Sequence, residues 1–300
     1  MRISKIKFDK KILINSPSDI FYYTGFLPRE QAFLLMDRKP ILFLHPFEKC
    51  KIRIAKEDIK NIGKYLEGEI GIDEKSLPAS FLMKFKNTKF FPASHIIKKA
   101  RAIKDAEEIE RIKGAIKITK RIFDGLEVCG SEQDIAWQIR QMVTEKKVFL
   151  AFDPIVASGP NTLVIHHQPG KRIIKKDDMV IVDFGVRYQG YCSDLSRTFC
   201  AKPKKGQIKI IEKVKEIQEK IMDMIGHDVK KSEIDAAYKR FVGKPVHAWG
   251  HGIGIDVHEE LGDRLLAGMV IAIEPGIYKK PYGCRIEDIV LIKKSGVKML

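Results

Sequence analysis

The 300-residue sequence has little cysteine and no long hydrophobic run. Its five cysteines are odd in number and form no Cys-x-x-Cys pair, which argues against a disulfide framework and against a thiolate zinc site. No segment approaches the roughly 18 consecutive apolar residues of a membrane helix, so we expect no integral membrane protein. The first ten residues alternate charged and apolar side chains and lack the apolar core of a secretory signal. We therefore predict a cytoplasmic protein.

Negative charge is the scarcer kind, and the formal net charge is +16 at pH 7. Such a surplus raises the hypothesis of a nucleic-acid partner. The surplus is spread over the chain, since residues 1–102 contain 21 basic and 11 acidic side chains and the remainder contains 34 and 28. It is also mostly lysine, whereas recognition of phosphates and bases favours arginine and interleaved aromatic side chains. We expect a solvated lysine-rich surface and do not expect nucleic acid as a partner.

The apolar pattern of residues 1–102 predicts a small α/β domain. Residues 32–36 and 39–45 have the character of strands, and residues 59–66 have apolar positions at helical spacing. Residues 22–26, Tyr-Tyr-Thr-Gly-Phe, are interpreted as a loop.

After residue 102 the pattern changes to long amphipathic helices and short apolar runs. A helix is predicted over residues 105–126, and Ser131 is a plausible N-cap of the next helix, with Asp134 three residues on. Further elements are predicted in the order strands 179–182 and 192–199, helices 207–225 and 232–241 with Ser232 as a cap, and strands 269–273 and 286–292. The repeated order of helix, helix and strands suggests two related halves about a pseudo-two-fold axis.

Acidic side chains adjoin three of the predicted strands. Asp183 and Glu274 each follow an apolar run directly, and Glu287 lies just before one. Asp194 lies on a strand that a hairpin would bring alongside the first run, and His251 lies between glycines that leave its ring accessible. A buried carboxylate is costly unless it is paired or bound to a metal. Any one of these acids alone fits a structural salt bridge, but together they predict a metal site.

Four carboxylates and one imidazole are the kind of ligand set that binds two divalent cations. Mn(II) is the expected ion, with Co(II) or Zn(II) as alternatives. Two of the carboxylates could bridge ions that lie about 3.5–4 Å apart.

Five motifs resemble those of the pita-bread metallopeptidases, in the aminopeptidase P and prolidase branch. They are Val-Asp-Phe-Gly, Asp-Leu-Ser-Arg-Thr-Phe, Gly-His-Gly-Ile-Gly followed by Val-His-Glu, Ile-Glu-Pro-Gly and Arg-Ile-Glu-Asp, in that order along residues 182–288. The resemblance implies an α/β (α+β) protein with a creatinase/prolidase-like N-terminal domain over residues 1–102. Residues 103–300 would then form a creatinase/aminopeptidase-like, pita-bread catalytic domain with pseudo-two-fold symmetry.

The resemblance also implies a role for each motif residue. Asp183 would bind one ion, Asp194 and Glu287 would bridge both ions, and His251 and Glu274 would bind the second ion. Glu274 would also move a proton from the attacking water.

Three further histidines and two supporting residues follow from the same resemblance. His166 would contact the scissile bond, His258 would stabilise the tetrahedral intermediate, and His247 is a further active-site histidine. Tyr278 and Arg285 match positions that support the metal ligands. His167 is ambiguous and is not assigned a catalytic role.

The function implied is a dinuclear metallopeptidase, most simply an Xaa-Pro aminopeptidase that acts on peptides with proline at the second position and forms a homodimer. The segment Ser-Gly-Pro-Asn at residues 158–161 and the pair His166–His167 favour the aminopeptidase over the dipeptidase, prolidase, which stays open. Two further alternatives stay open. One is an inactive binding module with the pita-bread fold that contacts RNA, and the other is a creatinase-like amidinohydrolase. The sequence differs from the family in two ways. Ile165 and Glu260-Leu261 stand where proline is frequent, and the segments 194–251 and 259–269 are short. These differences leave the shape of the substrate pocket undetermined.

Overall fold

The structure, a computed structural model, describes residues 10–300. The chain divides into two compact units, Met1–Arg101 and Ala102–Leu300. The N-terminal residues that carry the prediction about a secretory signal lie, except for Lys10, outside the described residues. Within residues 10–300, no helix combines the length and the hydrophobicity needed to cross a lipid bilayer.

The first unit is built on a six-stranded mixed sheet. Its strands are β1 (Lys11–Ile14), β2 (Phe33–Met36), β3 (Ile41–Leu44), β4 (Ala55–Asp58), β5 (Gly68–Ile72) and β6 (Thr88–Pro92), and its helices are α1 (Pro17–Thr24), α2 (Ala79–Leu82) and α3 (Ser94–Ala102). The order across the sheet is β4-β3-β2-β1-β5-β6, and only the β1–β2 and β2–β3 pairs are antiparallel. Alternate residues of the strands, among them Leu13, Phe33 and Phe43, are buried in the core of this unit.

One local prediction in the first unit is wrong. Residues 22–26 are not a loop throughout, because α1 continues to Thr24. The Ser16 hydroxyl caps the start of this helix, and Gly25, with φ of 75°, ends it. Pro17 is its first residue, and the helix is eight residues long, or about two turns. The helical spacing predicted over residues 59–66 is confirmed in kind, because a 3-10 helix covers Ile59–Lys64.

The second unit contains four long helices and fourteen short strands. The helices are α4 (Ala106–Asp124), α5 (Glu132–Glu145), α6 (Lys205–Met224) and α7 (Lys231–Val242). The strands are β7 (Phe149–Leu150), β8 (Ile155–Ser158), β9 (Val180–Phe184), β10 (Val186–Tyr188), β11 (Tyr191–Cys192), β12 (Leu195–Phe199), β13 (Val229–Lys230), β14 (Gly250–Gly252), β15 (Arg264–Leu265), β16 (Val270–Ile273), β17 (Gly276–Lys279), β18 (Tyr282–Arg285), β19 (Asp288–Ile292) and β20 (Val297–Met299).

Local capping signals explain where the first helices of this unit begin. Asp105 and Ser131 form capping boxes with Glu108 and Asp134, and these boxes start α4 and α5. The predicted cap at Ser232 is wrong, because β13 leads directly into α7 and the helix begins one residue earlier, at Lys231.

The two halves of this unit repeat the order of two helices followed by an antiparallel sheet. Helices α4 and α5 precede the sheet β12-β9-β8, and α6 and α7 precede the sheet β14-β16-β19-β20. Each half has its own apolar core, built around Ile139 and Val182 in the first half and around Ile217 and Ile271 in the second. The fold predicted from the motifs, an α/β N-terminal unit before a pita-bread catalytic unit, is therefore confirmed.

Candidate metal centre

The five predicted metal ligands come from both halves of the second unit. Asp183 lies at the end of β9 opposite Ser196 of β12, and Asp194 lies in the two residues between β11 and β12 rather than on a strand. His251 is the middle residue of β14, Glu274 directly follows β16, and Glu287 lies between β18 and β19. Because each of these residues is at or near a strand end, ordinary strand pairing brings distant parts of the sequence together.

The nitrogen and oxygen atoms that could bind a metal lie close to one another, but farther apart than in a short hydrogen bond. The Nε2 atom of His251 lies 3.6 Å from Glu287 Oε1, 3.7 Å from Asp194 Oδ2 and 3.8 Å from Glu274 Oε1. Ligands about 2.1 Å from one divalent ion lie roughly 3–3.5 Å apart, so small adjustments would let these atoms share ions. Carboxylate oxygens of Asp183, Asp194 and Glu287 also lie within 4.8 Å of one another.

Three carboxylate oxygens of the cluster are unpaired and so are available to bind cations. Among the described residues, four buried side-chain atoms lack a hydrogen-bond partner, and three belong to this cluster: Asp183 Oδ1, Asp194 Oδ1 and Glu287 Oε1. A buried carboxylate oxygen without a donor is unfavourable by at least a few kcal/mol. Hard oxygen donors with one imidazole are the ligands that divalent ions such as Mn(II) prefer, so these residues fit a metal centre.

The pKa values of the cluster reflect the same excess of negative charge. Burial and then the Glu287 carboxylate raise the pKa of Asp194, and burial raises the pKa of Glu287. Burial and Glu287 together raise the pKa of Glu274 to about 8. Burial lowers the pKa of His251, but the neighbouring carboxylates outweigh that effect and the net shift is upward. Without positive charge in the centre, these groups would therefore hold protons.

Arg285 is the buried cation next to the cluster. Its guanidinium donates to Asp183 Oδ2 and to the Ser196 hydroxyl, the latter at 2.9 Å. It also donates to the Ile165 carbonyl and to the Tyr278 hydroxyl, both at 3.2 Å. One guanidinium is too little charge for four carboxylates, but it fixes the orientation of Asp183 and of the chain around Ile165.

Tyr278 and His247 continue this hydrogen-bond chain. The Tyr278 hydroxyl lies 2.9 Å from His247 Nε2, and His247 Nδ1 lies 2.7 Å from the Ala248 carbonyl. Because the carbonyl only accepts, Nδ1 carries the proton and Nε2 accepts from the tyrosine. Burial and then the positive charge of Arg285 lower the pKa of His247 to about 4, so its ring is neutral at pH 7.

One cavity of about 390 Å³ contains almost the whole predicted site. The predicted residues that line it are Asp183, Asp194, His251, Glu274, Glu287, His166, His247, His258 and Arg285, and Tyr278 lies behind them. The His258 ring centre is 4.2 Å from that of His251, and burial lowers the pKa of His258 to about 4. Phe152, Ile155 and Ile165 form an apolar wall beside these polar groups.

Sequence reasoning missed two parts of the site. The apolar wall includes Phe152 and Ile155, which no motif marks. Glu132, a fully buried carboxylate at the first position of α5, binds the loop that carries His166. The only sequence signal for Glu132 is an acidic residue next to a helix cap, which is common on protein surfaces.

Comparison with known proteins covers both units. The sequence pattern of metallopeptidase family M24 matches residues 106–294, and that of the creatinase/prolidase N-terminal domain matches residues 8–103. An uncharacterized peptidase of Methanocaldococcus jannaschii is 31% identical, over 97% of this chain and 90% of that protein. The Xaa-Pro dipeptidase of Pyrococcus furiosus is 30% identical, over 97% and 92% of the two chains. The crystal structure of the prolidase from Pyrococcus horikoshii OT3 matches with a TM-score of 0.89 at 29% identity, over 97% and 93% of the two chains.

Proposed function

This chain belongs to metallopeptidase family M24, in the prolidase and aminopeptidase P branch, and from that we propose that it is an Xaa-Pro exopeptidase with a two-ion centre. The observation that carries the proposal is the convergence of four carboxylates and His251 in one cavity, with three carboxylate oxygens unpaired. An inactive binding module would have no need for these costly buried groups.

The proposed ligands follow the prediction from the motifs. Asp183 would bind one ion, Asp194 and Glu287 would bridge, and His251 and Glu274 would hold the second. Two divalent ions held in this way polarise a carbonyl group and lower the pKa of water. Mn(II) as the native ion stays a prediction, as do the homodimer and the cytoplasmic location.

The remaining side chains of the cavity supply proton transfer and hydrogen bonds. The Glu274 side chain is 17% exposed, more than those of Asp194 and Glu287 at 6% and 1%, so its carboxylate can exchange protons with substrate. His258 is neutral at pH 7 and presents an N–H group that can donate to the oxygen of the scissile carbonyl. We assign His166 to contact with the scissile bond because it lines this cavity beside the proposed metal ligands. The apolar wall of Phe152, Ile155 and Ile165 suits a proline ring.

The relatives' names favour a dipeptidase over an aminopeptidase, since the Pyrococcus proteins are named Xaa-Pro dipeptidase and prolidase. The sequence features that favoured the aminopeptidase have another explanation. Ser158, Asn161 and His167 all bind Glu132, which accounts for these residues in the loop without a role in substrate choice.

One observation supports the aminopeptidase as a second candidate. A cavity of about 530 Å³ adjoins the catalytic one, because Ile155 and His166 line both. Exposed Trp137 and the Arg140–Asp153 ion pair, at 2.9 Å, lie in its wall. This space offers room for residues that follow the proline.

The decisive experiment measures bound metal and then hydrolysis of an Xaa-Pro dipeptide and of an Xaa-Pro-Xaa tripeptide with added Mn(II). We expect two ions per chain and cleavage in front of proline, with dipeptides as the better substrates. Preference for the tripeptide would select the aminopeptidase, and a metal-loaded protein that cleaves neither peptide would refute the proposal.

Glu287→Ala tests the metal assignment directly. Loss of a buried ligand that both ions would share should reduce bound metal below two ions and abolish turnover. Glu219→Ala, which removes an exposed carboxylate from α6, is the matched control and should keep both. Normal metal content and activity in Glu287→Ala would show that the assignment is wrong.

A further inference from the structure

Glu132 is a buried carboxylate that binds the end of β8 and the chain that follows it, and it does not line the catalytic cavity. Its side chain is fully buried at the start of α5, where an acidic group is rarely buried unless it is paired. Oε1 accepts from the Ser158 N–H and hydroxyl, both at 2.7 Å, and from Asn161 Nδ2 at 2.9 Å. Oε2 lies 2.8 Å from His167 Nε2 and accepts from the Gly170 N–H at 3.1 Å.

These contacts determine which nitrogen of His167 carries a proton. Burial raises the pKa of Glu132, but hydrogen bonds from Ser158, His167 and Asn161 outweigh that effect and the net shift is downward. An ionised carboxylate only accepts hydrogen bonds, so His167 must donate from Nε2. A hydrogen bond to a charged acceptor is among the stronger ones in proteins, and it fixes the ring of His167.

His166 is held between two anchored residues. On one side, the Ile165 carbonyl accepts from the Arg285 guanidinium at 3.2 Å. On the other side, His167 is bound to Glu132. The His166 ring lines the catalytic cavity, whereas His167 lines only the adjoining cavity of about 530 Å³. The chain is thus fixed before and after His166, which limits the directions in which this ring can enter the site.

We propose that Glu132 and His167 are positioning residues that hold His166 in the catalytic cavity. The proposal rests on the proposed function, because it assigns His166 to contact with substrate. The two neighbouring histidines then have different roles, because His166 contacts the substrate and His167 holds the loop in place. The proposal also explains a buried charge that the metal centre does not use.

His167→Phe is the first test, because phenylalanine keeps a flat ring but cannot donate to Glu132. We expect kcat on an Xaa-Pro peptide to fall about tenfold, while KM changes less than about twofold and metal content is unchanged. His167→Gln retains a side-chain N–H donor and should recover part of kcat. A purely structural role would lower folding stability in both variants without this difference in kcat.

Asp134→Asn is the matched control. Asp134 lies in the same turn of α5 and accepts hydrogen bonds from the Ser131 N–H and hydroxyl, at 2.8 and 2.7 Å. The substitution weakens the start of the helix without touching His167, so kcat should stay within about twofold of the wild-type value. An equal loss of kcat in Asp134→Asn and His167→Phe would overturn the proposal.

Hydrogen–deuterium exchange of residues 159–170 gives a second measurement that does not depend on activity. Exchange should be faster in His167→Phe than in the wild-type protein and in Asp134→Asn. Unchanged exchange together with unchanged kcat in His167→Phe would overturn the proposal. If the wild-type protein cleaves no Xaa-Pro peptide, the proposed function fails, and exchange alone then decides whether His167 anchors this loop.

Discussion

At the scale of single residues, burial keeps His247 and His258 neutral, and hydrogen-bond partners determine which nitrogen of His247 carries the proton. Arg285 donates to Tyr278, the tyrosine donates to His247, and His247 donates to the Ala248 carbonyl, so the ring is fixed in one neutral form. His258 has no comparable chain among the described contacts, and burial alone is the main cause of its low pKa. His258 can therefore donate its N–H to substrate at pH 7 without adding positive charge, whereas the one N–H of His247 is already donated to the Ala248 carbonyl.

His258→Ala is expected to lower kcat about 100-fold, because a donor to the developing oxyanion is lost. Bound metal should be unchanged, and KM should change little. Steady-state kinetics and elemental analysis of the same preparation measure these quantities. The ring of His258 lies close enough to Asp194 and His251 to bind an ion itself. Loss of metal in this variant would therefore show that His258 is a ligand.

At the scale of elements, the close approach of β14 and β16 brings His251 toward the carboxylates. Gly250 pairs with Ile273 across these strands, and a Cβ atom at Gly250 would lie 2.2 Å from the Ala272 carbonyl oxygen. No side chain fits there unless the two strands separate. The glycine before His251 is therefore required by strand packing, in addition to leaving the imidazole accessible.

Gly250→Ala should destabilise the protein by about 3 kcal/mol or more, because a backbone carbonyl cannot move aside as a side chain can. Thermal or urea unfolding measures this change. Gly262→Ala is the control, since a Cβ atom there meets nothing within 4 Å. Similar stability of the two variants would contradict the packing argument.

At the scale of the whole molecule, the buried acids make stability depend on bound metal and on pH. Glu274 has a pKa of about 8 in the folded protein and an ordinary value of 4.5. Between these two values the folded state holds a proton that the unfolded state has released. The free energy of unfolding therefore falls as the pH rises toward 8. His247 and His258 have the opposite shift, from 6.5 to about 4, so they make the protein more stable as the pH rises from about 4 to just above 6.5 and change its stability little near pH 8.

The metal-free protein should therefore lose stability between pH 6.5 and pH 8. Glu274 alone should lower the free energy of unfolding by roughly 2 kcal/mol over this interval. The raised pKa values of Asp194, Glu287 and His251 act in the same direction. Urea unfolding at several pH values, with a chelator and with Mn(II), measures the effect. The slope should be smaller in metal-free Glu274→Gln and with metal bound. A metal-free protein that becomes more stable over this interval would contradict the interpretation.

Much of the second unit could be predicted from local sequence. The capping boxes at Asp105 and Ser131 and the apolar runs before Asp183 and Glu274 are short-range signals, and the elements that they predict are present. The order of the motifs was enough to predict the fold. The assignment of particular residues as metal ligands stays a prediction that metal analysis can test.

Local sequence was enough to predict the types of ligand and the apolar strands next to Asp183, Glu274 and Glu287, because apolar periodicity acts over a few residues. The binding of His167 by Glu132, the hydrogen bond from Arg285 to the Ile165 carbonyl and the position of Phe152 beside the carboxylates follow from tertiary packing. The hydrogen bond between Arg285 and Ile165 alone joins residues 120 positions apart. The partners in these contacts are selected by the packing of strands and helices, and no local pattern records them.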